Sequence, residues 1–407
     1  MKKVVKFLLL ISPILFSSFE CSDNITNPPE YPEGYQFDIP WPSLADSPWP
    51  MYQNNPQSNG RSKFIGPQQG ILVDKVRAYN MQSSILVGDS AIYFCAFDSL
   101  KAVTFKNELL WAYPLYDAIT TPVLSSKGLL YFADNQENLV AADLQGNIKW
   151  KYNTLWRTVG QGAITIGLNG IIYFLDGGSN LYALKENGEL LWSKYDSRFN
   201  GNESAALTIA PDGKTLYIPG NGVAVLALDV TNQDIKWTFG SVKNESTNLV
   251  DAQGNLYLVT KQQNDSIHFI YSVKPSGEIR WKYPVGGATF IGNAAAIDRE
   301  GNIYFEANNI LWSFSYDGNL RWYKTDGPGG PIVVDALGNI YAGYFGHSAT
   351  NDFFVKCFNK SGVEIWSLNV VDGRQPGGGP TISSNGLLYF PPFRTNNLLT
   401  HLTQKSI

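Results

Sequence analysis

Residues 128–150 read GLLYFADNQENLVAADLQGNIKW. Three short apolar runs stand in this stretch: Leu129–Ala133, Leu139–Ala142 and the run opening at Ile148, after the turn Gln145-Gly146-Asn147. Apolar and aromatic runs this short, separated by Gly and Asn, describe strands joined by tight reversals, because Gly and Asn reach the positive φ that such turns require. A piece of this size cannot cover its own apolar faces, so it needs neighbours.

The neighbours are copies of itself. An Ile/Leu-Tyr pair occurs eight times, with Tyr at 93, 131, 173, 217, 257, 304, 341 and 389. A Trp follows each of the first seven, at 111, 150, 192, 237, 281, 322 and 366. Tyr spacings run from 37 to 48 residues and Trp spacings from 39 to 45. Four residues before the Trp stands Gly in five copies, Asn107 in the first and Gln233 in the fourth. Gln tolerates the left-handed region poorly, so the fourth copy is expected to turn differently. Several short strands per period of about 42 residues is the mark of a β-propeller, in which each period is one four-stranded blade stabilised by the next. A sandwich, or two unrelated β domains, predicts no sustained repeat.

The repeat count suggests how the ring closes. Eight Tyr units meet only seven Trp units, and the last unit stops before its Trp strand. Residues 70–79, GILVDKVRAY, precede the first Tyr unit and have no unit of their own. The expectation is therefore an all-β, eight-bladed propeller over 70–407, with this N-terminal strand completing the last blade. Lys75-Val76-Arg77 would stand where Lys149-Trp150-Lys151 stands in the second blade. Such pairing removes an open edge that invites aggregation.

Composition agrees. Aromatics make up 14% and charged residues 16% of 407 residues, which suits half-buried pleated surfaces. A net charge of −4 with no basic stripe argues against nucleic acid as a partner. The cysteines are Cys21, Cys95 and Cys357. Cys95 and Cys357 fall in the first and seventh blades, so buried free thiols are expected rather than a disulfide.

Residues 1–21 have the form of a secretory signal: a basic start and the apolar run Phe7–Phe19, ending at Cys21. This resembles a bacterial lipoprotein signal, which implies lipidation of Cys21. Glu20 and Phe19 depart from the small residues usual there. Ordinary cleavage or an uncleaved anchor are the competing readings. Residues 22–69 are expected to be a tether and lead-in, with seven prolines between Ser22 and Pro50.

The segment Trp49-Pro50-Met51-Tyr52, Asn55-Pro56-Gln57, Asn59-Gly60-Arg61-Ser62, together with Ala141-Ala142-Asp143…Trp150 and Ala227-Leu228-Asp229…Trp237, resembles the PQQ-like β-propeller repeat family. That family includes an outer-membrane assembly lipoprotein and, distantly, quinoprotein dehydrogenases. The resemblance spans roughly residues 47–407 and implies Trp residues packed between blades. It implies a quinone only where adjacent cysteines, a calcium held by acidic and amide groups and a catalytic Asp are present. This sequence has no adjacent cysteines.

The turns Asp251–Gly254, Asp298–Gly301 and Asp335–Gly338 lack the alternating ligands of a calcium loop, and Asp bonding its own backbone explains them. His268, His347 and His401 are scattered, and no metal or phosphate motif is present. Candidate chemistry lies in the connections from one Trp strand to the next blade. There Trp156, Arg157, Arg198, Asn202 and Arg374 are expected to meet an anionic ligand or a partner carboxylate at the rim. Solvated loop charges are the plainer reading of the same arginines. The expected function is a non-catalytic envelope lipoprotein that binds envelope proteins, held at the periplasmic face of the outer membrane or at the cell surface. The alternatives are a PQQ-dependent oxidoreductase and a carbohydrate-binding propeller, the latter marked by rim aromatics such as Trp156 left unpaired by neighbouring blades.

Overall fold

The computed structural model describes residues 31–407 apart from 77–82, 97, 116–119, 135, 158–159, 161, 202–205, 243–246, 288–293, 326–328, 346–352, 371–373, 377, 391, 394–398 and 404–407. The chain divides into residues 1–32 and 33–407, and all the blades lie in the second part. Among the described residues every regular element is a strand.

Seven four-stranded antiparallel sheets, each built from four consecutive strands, are the blades of a β-propeller. Blade 1 runs Leu86–Val87, Ile92–Ala96, Ser99–Val103 and Leu109–Pro114. The inner strands of blades 2 to 7 are Val123–Leu124, Ile164–Ile166, Thr208–Ile209, Leu249–Val250, Ala296–Ile297 and Val333–Val334. The matching outer strands are Ile148–Asn153, Leu190–Tyr195, Ile235–Phe239, Ile279–Gly286, Leu320–Lys324 and Glu364–Val370.

The repeated Tyr and Trp rings meet at a tilt of 31–53° inside each blade, with ring centroids 5.8–6.1 Å apart in all seven. The Trp also ties its blade to the next. The indole N–H of Trp111 donates to Leu144 O, that of Trp237 to Pro275 O and that of Trp322 to Lys360 O. The turn glycine of the next blade lies flat on the same indole. At Gly318 φ is +84°, and an added Cβ would stand 2.5 Å from Trp281 Cδ2. Gly318→Ala therefore combines a left-handed backbone with a clash between blades. We expect it to destabilise the protein by about 2–4 kcal/mol, measured by urea denaturation. The fourth copy does turn differently. The difference lies in length, Gln233 N–H donating to Asp229 O, one residue further back than the Gly146 to Asp143 bond of blade 2; the expected avoidance of the left-handed region is corrected, since Gln233 takes a φ of 63°.

An eighth four-stranded sheet draws on both ends of the chain: Thr381–Ile382, Leu388–Phe390, Leu399–Thr403 and Ile71–Val76. Here the expected register is corrected by two residues. Asp74, not Val76, lies across from His401, which in turn lies across from Tyr389. In blade 2 the same chain of partners is Trp150, Ala141 and Tyr131. Both outer strands carry a bulge one step before this position. Gly70 lies on Trp366 as the turn glycines lie on the other indoles, with an added Cβ 2.7 Å from Cε3.

The expectation of an extended tether as far as Pro50 is corrected as well. Prolines keep the segment out of any ladder, but from Gly34 onward it lies on the blades. Gly34 abuts Tyr316, and Trp41, Leu44 and Trp49 are buried. Trp41 Nε1 donates to Ile166 O at 2.8 Å, and Ser43 Oγ to Gly167 O at 2.6 Å.

Candidate partner-binding face

The two faces of the ring differ in what covers them. On one, the inner strands end, and residues 49–62 cross those ends blade by blade. The N–H groups of Val87, Leu124, Ile209, Val250, Ile297 and Val334 donate in turn to the carbonyls of Trp49, Pro50, Pro56, Gln57, Asn59 and Gly60, at 2.8–3.0 Å. Each donor is the last residue of its inner strand, an orphan group that a short edge strand leaves unsatisfied. Tyr52 points inward among Ala206 and Ala294, and its hydroxyl meets Thr247 Oγ1 at 3.0 Å.

Arg61 fastens a second layer over the first. Its guanidinium is buried and donates to Phe37 O and to Asp38 Oδ1, and Arg299 holds the other Asp38 oxygen at 2.8 Å. Burial raises the Asp38 carboxyl, but the two arginines outweigh it and hold it below the usual carboxylate range. A groove of about 920 Å³ lies on this face, lined by residues that include Trp41, Pro48, Arg61, Lys63 and Tyr93. Its cations are already paired, Arg61 with Asp38 and Lys63 with Asp46.

The Asp-x-x-Gly turns also open on this side. Asp251 accepts the N–H of Gln253 and of Asn255 on one oxygen, and Asn255 Nδ2 and the Tyr257 hydroxyl on the other. Asp298 and Asp335 repeat the pattern with Asn302 and Tyr304, and with Asn339 and Tyr341. These aspartates are spent on their own hairpins, as their spacing predicts. Burial raises the Asp251 carboxyl, and the donors from Asn255 and Tyr257 offset part of that rise.

The opposite face carries the connections between blades. In the one from blade 2 to blade 3, Leu155 is 70% exposed and Trp156 59% exposed. Their backbone is nonetheless fixed at four points. Thr154 N–H and Oγ1 donate to Glu137 O, and Thr154 Oγ1 also lies 2.7 Å from Trp156 O. Leu155 N–H donates to the Tyr182 hydroxyl, which donates to Asp176. Gly177 N–H donates to Arg157 O. The Trp156 indole lies against Gly178 of blade 3, where an added Cβ would stand 2.0 Å from Cδ1. One edge of the indole thus rests on the neighbouring blade while most of the ring stays exposed. Tyr195, 67% exposed, is paired with Asn180 beside the same turn.

The arginines do not behave alike. Arg198 is bidentate to Asp196, Nε to Oδ1 at 2.9 Å and Nη2 to Oδ2 at 2.6 Å. That hydrogen-bonded partner raises Arg198 and holds Asp196 below the usual carboxylate range. Arg157 is exposed and makes no ion pair among the described residues. Asn202, the Arg374 side chain and Cys21 lie outside the described residues. Sequence spacing does not single out Leu155 or Tyr195. The signal was available in Leu155-Trp156, two large apolar residues in a connection otherwise rich in polar ones.

The donor set for a quinone is not present among the described residues. Cys95 and Cys357 are buried free thiols in blades 1 and 7. Burial pushes Cys95 up to about 12, and burial raises Cys357 also. No group of three or more His, Cys, Asp or Glu able to hold a metal occurs among the described residues.

Comparison with known proteins agrees with this architecture. A quinohemoprotein alcohol dehydrogenase from Comamonas testosteroni superposes with a TM-score of 0.67 at 10% identity, covering 88% of this chain and 81% of that one. BamB from Moraxella catarrhalis gives 0.61 at 15% identity, covering 82% and 100%. A europium-containing methanol dehydrogenase gives 0.62 at 13% identity, covering 84% and 89%. These likenesses are of fold. No curated protein matches the sequence. The family model described as outer membrane protein assembly factor BamB matches residues 74–283, and the chain belongs to that PQQ-like propeller family.

Proposed function

We propose that this protein is a lipid-anchored envelope scaffold that holds a protein partner against the Leu155-Trp156-Arg157 rim. The observation that carries the reading is the presentation of that rim. Its backbone is pinned by hydrogen bonds while two large apolar side chains and an arginine with no ion pair among the described residues are exposed. Ordering such side chains in advance removes part of the entropic cost of association, and Trp, Tyr and Arg dominate binding hot spots. Family membership supports envelope partners. In this reading residues 1–21 are a signal, Cys21 carries lipid, residues 22–32 are the tether, and Asn202 and Arg374 extend the rim. The eighth sheet serves as the eighth blade, closed by Ile71–Val76. The pairing of that strand with Leu399–Thr403 supports it.

The test places a photo-crosslinking residue at position 155 of the full-length protein in cells. The expected result is a discrete protein adduct that is lost in Gly178→Ala, a change that displaces the indole and removes no rim side chain. Absence of any adduct overturns the reading. So does a stoichiometric quinone chromophore with calcium in the purified protein, which assigns an oxidoreductase instead.

A further inference from the structure

We propose that the outer strand of blade 1, Leu109–Pro114, is a self-pairing edge through which two copies of this chain form a dimer. Among the described residues, each of the seven blades ends in an outer strand with no further strand beside it. Such an edge offers a row of unpaired N–H and C=O groups, and proteins guard it with charge. Six of the seven outer strands are guarded: by Lys149 and Lys151, Lys194, Lys236, Arg280 and Lys282, Arg321 and Lys324, and Glu364. Leu109–Pro114, sequence LLWAYP, carries no charge.

The choice of a second copy follows from those charges. In a twofold antiparallel pair a strand meets itself, so Ile148–Asn153 and Ile279–Gly286, each with two cations two residues apart, would set cation across from cation. Leu109–Pro114 alone among the seven brings no charge to such a pair. It also exposes the largest aliphatic pair of any outer strand, Leu109 at 61% and Leu110 at 52%. Its other side is held still. Trp111 donates to Leu144 O, and the Tyr113 ring lies edge-on to Phe132 at 5.3 Å. Lys101 on the adjoining strand is engaged by Asp98 at 3.6 Å. Pro114 has no N–H, and the bulge falls at Leu110, so pairing is confined to Leu110–Tyr113. Opposed residues of an antiparallel pair share a face, so the twofold falls on Ala112, setting Trp111 of one copy across from Tyr113 of the second.

Sedimentation equilibrium on the purified full-length protein, from micromolar to near-millimolar concentration, tests this. A monomer–dimer equilibrium is expected, with amide exchange across 110–113 slowed in the dimer. Leu110→Lys, at an exposed site that tolerates the change, should raise the dissociation constant by roughly tenfold or more. Leu190→Lys, the same change on the blade 3 edge, should leave it unaltered. A monomer at every concentration overturns the proposal. A dimer indifferent to Leu110→Lys, or one whose protection maps to another blade, overturns it equally.

Discussion

Deleting residues 70–76 should leave a chain that aggregates on purification, with a melting midpoint lower by on the order of 10 °C in whatever fraction stays soluble. Three kinds of contact go together. Leu399–Thr403 loses its ladder partner and becomes an exposed edge of uncharged residues apart from His401. The Trp366 indole loses the surface of Gly70 on its ring. Asn107, the turn residue of blade 1, loses Asp74, to which its side chain donates. The last two contacts join blade 7 to the terminal sheet and the terminal sheet to blade 1, so the deletion removes contacts on both sides of that sheet. Differential scanning calorimetry with light scattering measures both effects. A deletion variant that melts with the intact chain would mean that the seven consecutive blades are stable without closure. A less drastic variant separates pairing from chain length. Leu72→Pro sets a ring of fixed φ and no N–H opposite Leu402 and should lower the midpoint by a few degrees without deleting anything.

That seam also shows where sequence reading succeeds and where it stops. The blades are legible because each copy must bury the same two rings, Tyr on one strand and Trp on the outer one, and their spacing survives every loop insertion. The terminal strand is harder. Its outer position holds Asp74 where the other blades hold Trp, so a search for an apolar counterpart settles on Val76, two residues late. Alignment on Gly70, the residue that covers the preceding indole, restores the register. The lead-in misleads for a related reason. Prolines do exclude a ladder, but a chain with free carbonyls and no ladder of its own is suited to accept the orphan N–H groups at the inner strand ends. Sequence periodicity carries no trace of that role. At the rim, Trp156 and Arg157 stand out in the sequence, whereas the neutralisation of Arg198 depends on the rotamer that brings it onto Asp196. The aspartate turns are the opposite case. Asp, Asn and Tyr at fixed offsets specify the hairpin's own hydrogen bonds, because those donors stand within six residues of the Asp.

Glu306 is the group that spacing gives least reason to notice, and Glu306→Gln should change the pH dependence of stability more than any other single substitution. The residue is two positions after the repeat Tyr304, where the other blades carry Cys95, Ala133, Leu175, Pro219, Val259 and Gly343. It is 2% exposed. One carboxyl oxygen accepts Asn309 N–H at 3.2 Å, and the other has no partner among the described residues. Burial, only partly offset by that bond, pushes the carboxyl from 4.5 up to about 8. The folded protein then keeps a proton that the unfolded chain has released. Stability therefore falls as pH rises from about 4.5 to about 8 and levels off above that. At 1.36 kcal/mol per pH unit, the penalty at the plateau reaches at most about 5 kcal/mol. Gln is a near-isostere of the protonated acid and cannot ionise. Its unfolding free energy should match that of the parent near pH 4 and exceed it by about 2–4 kcal/mol at pH 8.5. Urea denaturation of both proteins across this range reads the difference directly, and other titrating groups cancel in the comparison. Two parallel curves would place a charged, solvated carboxylate at this position and remove the buried acid from blade 6.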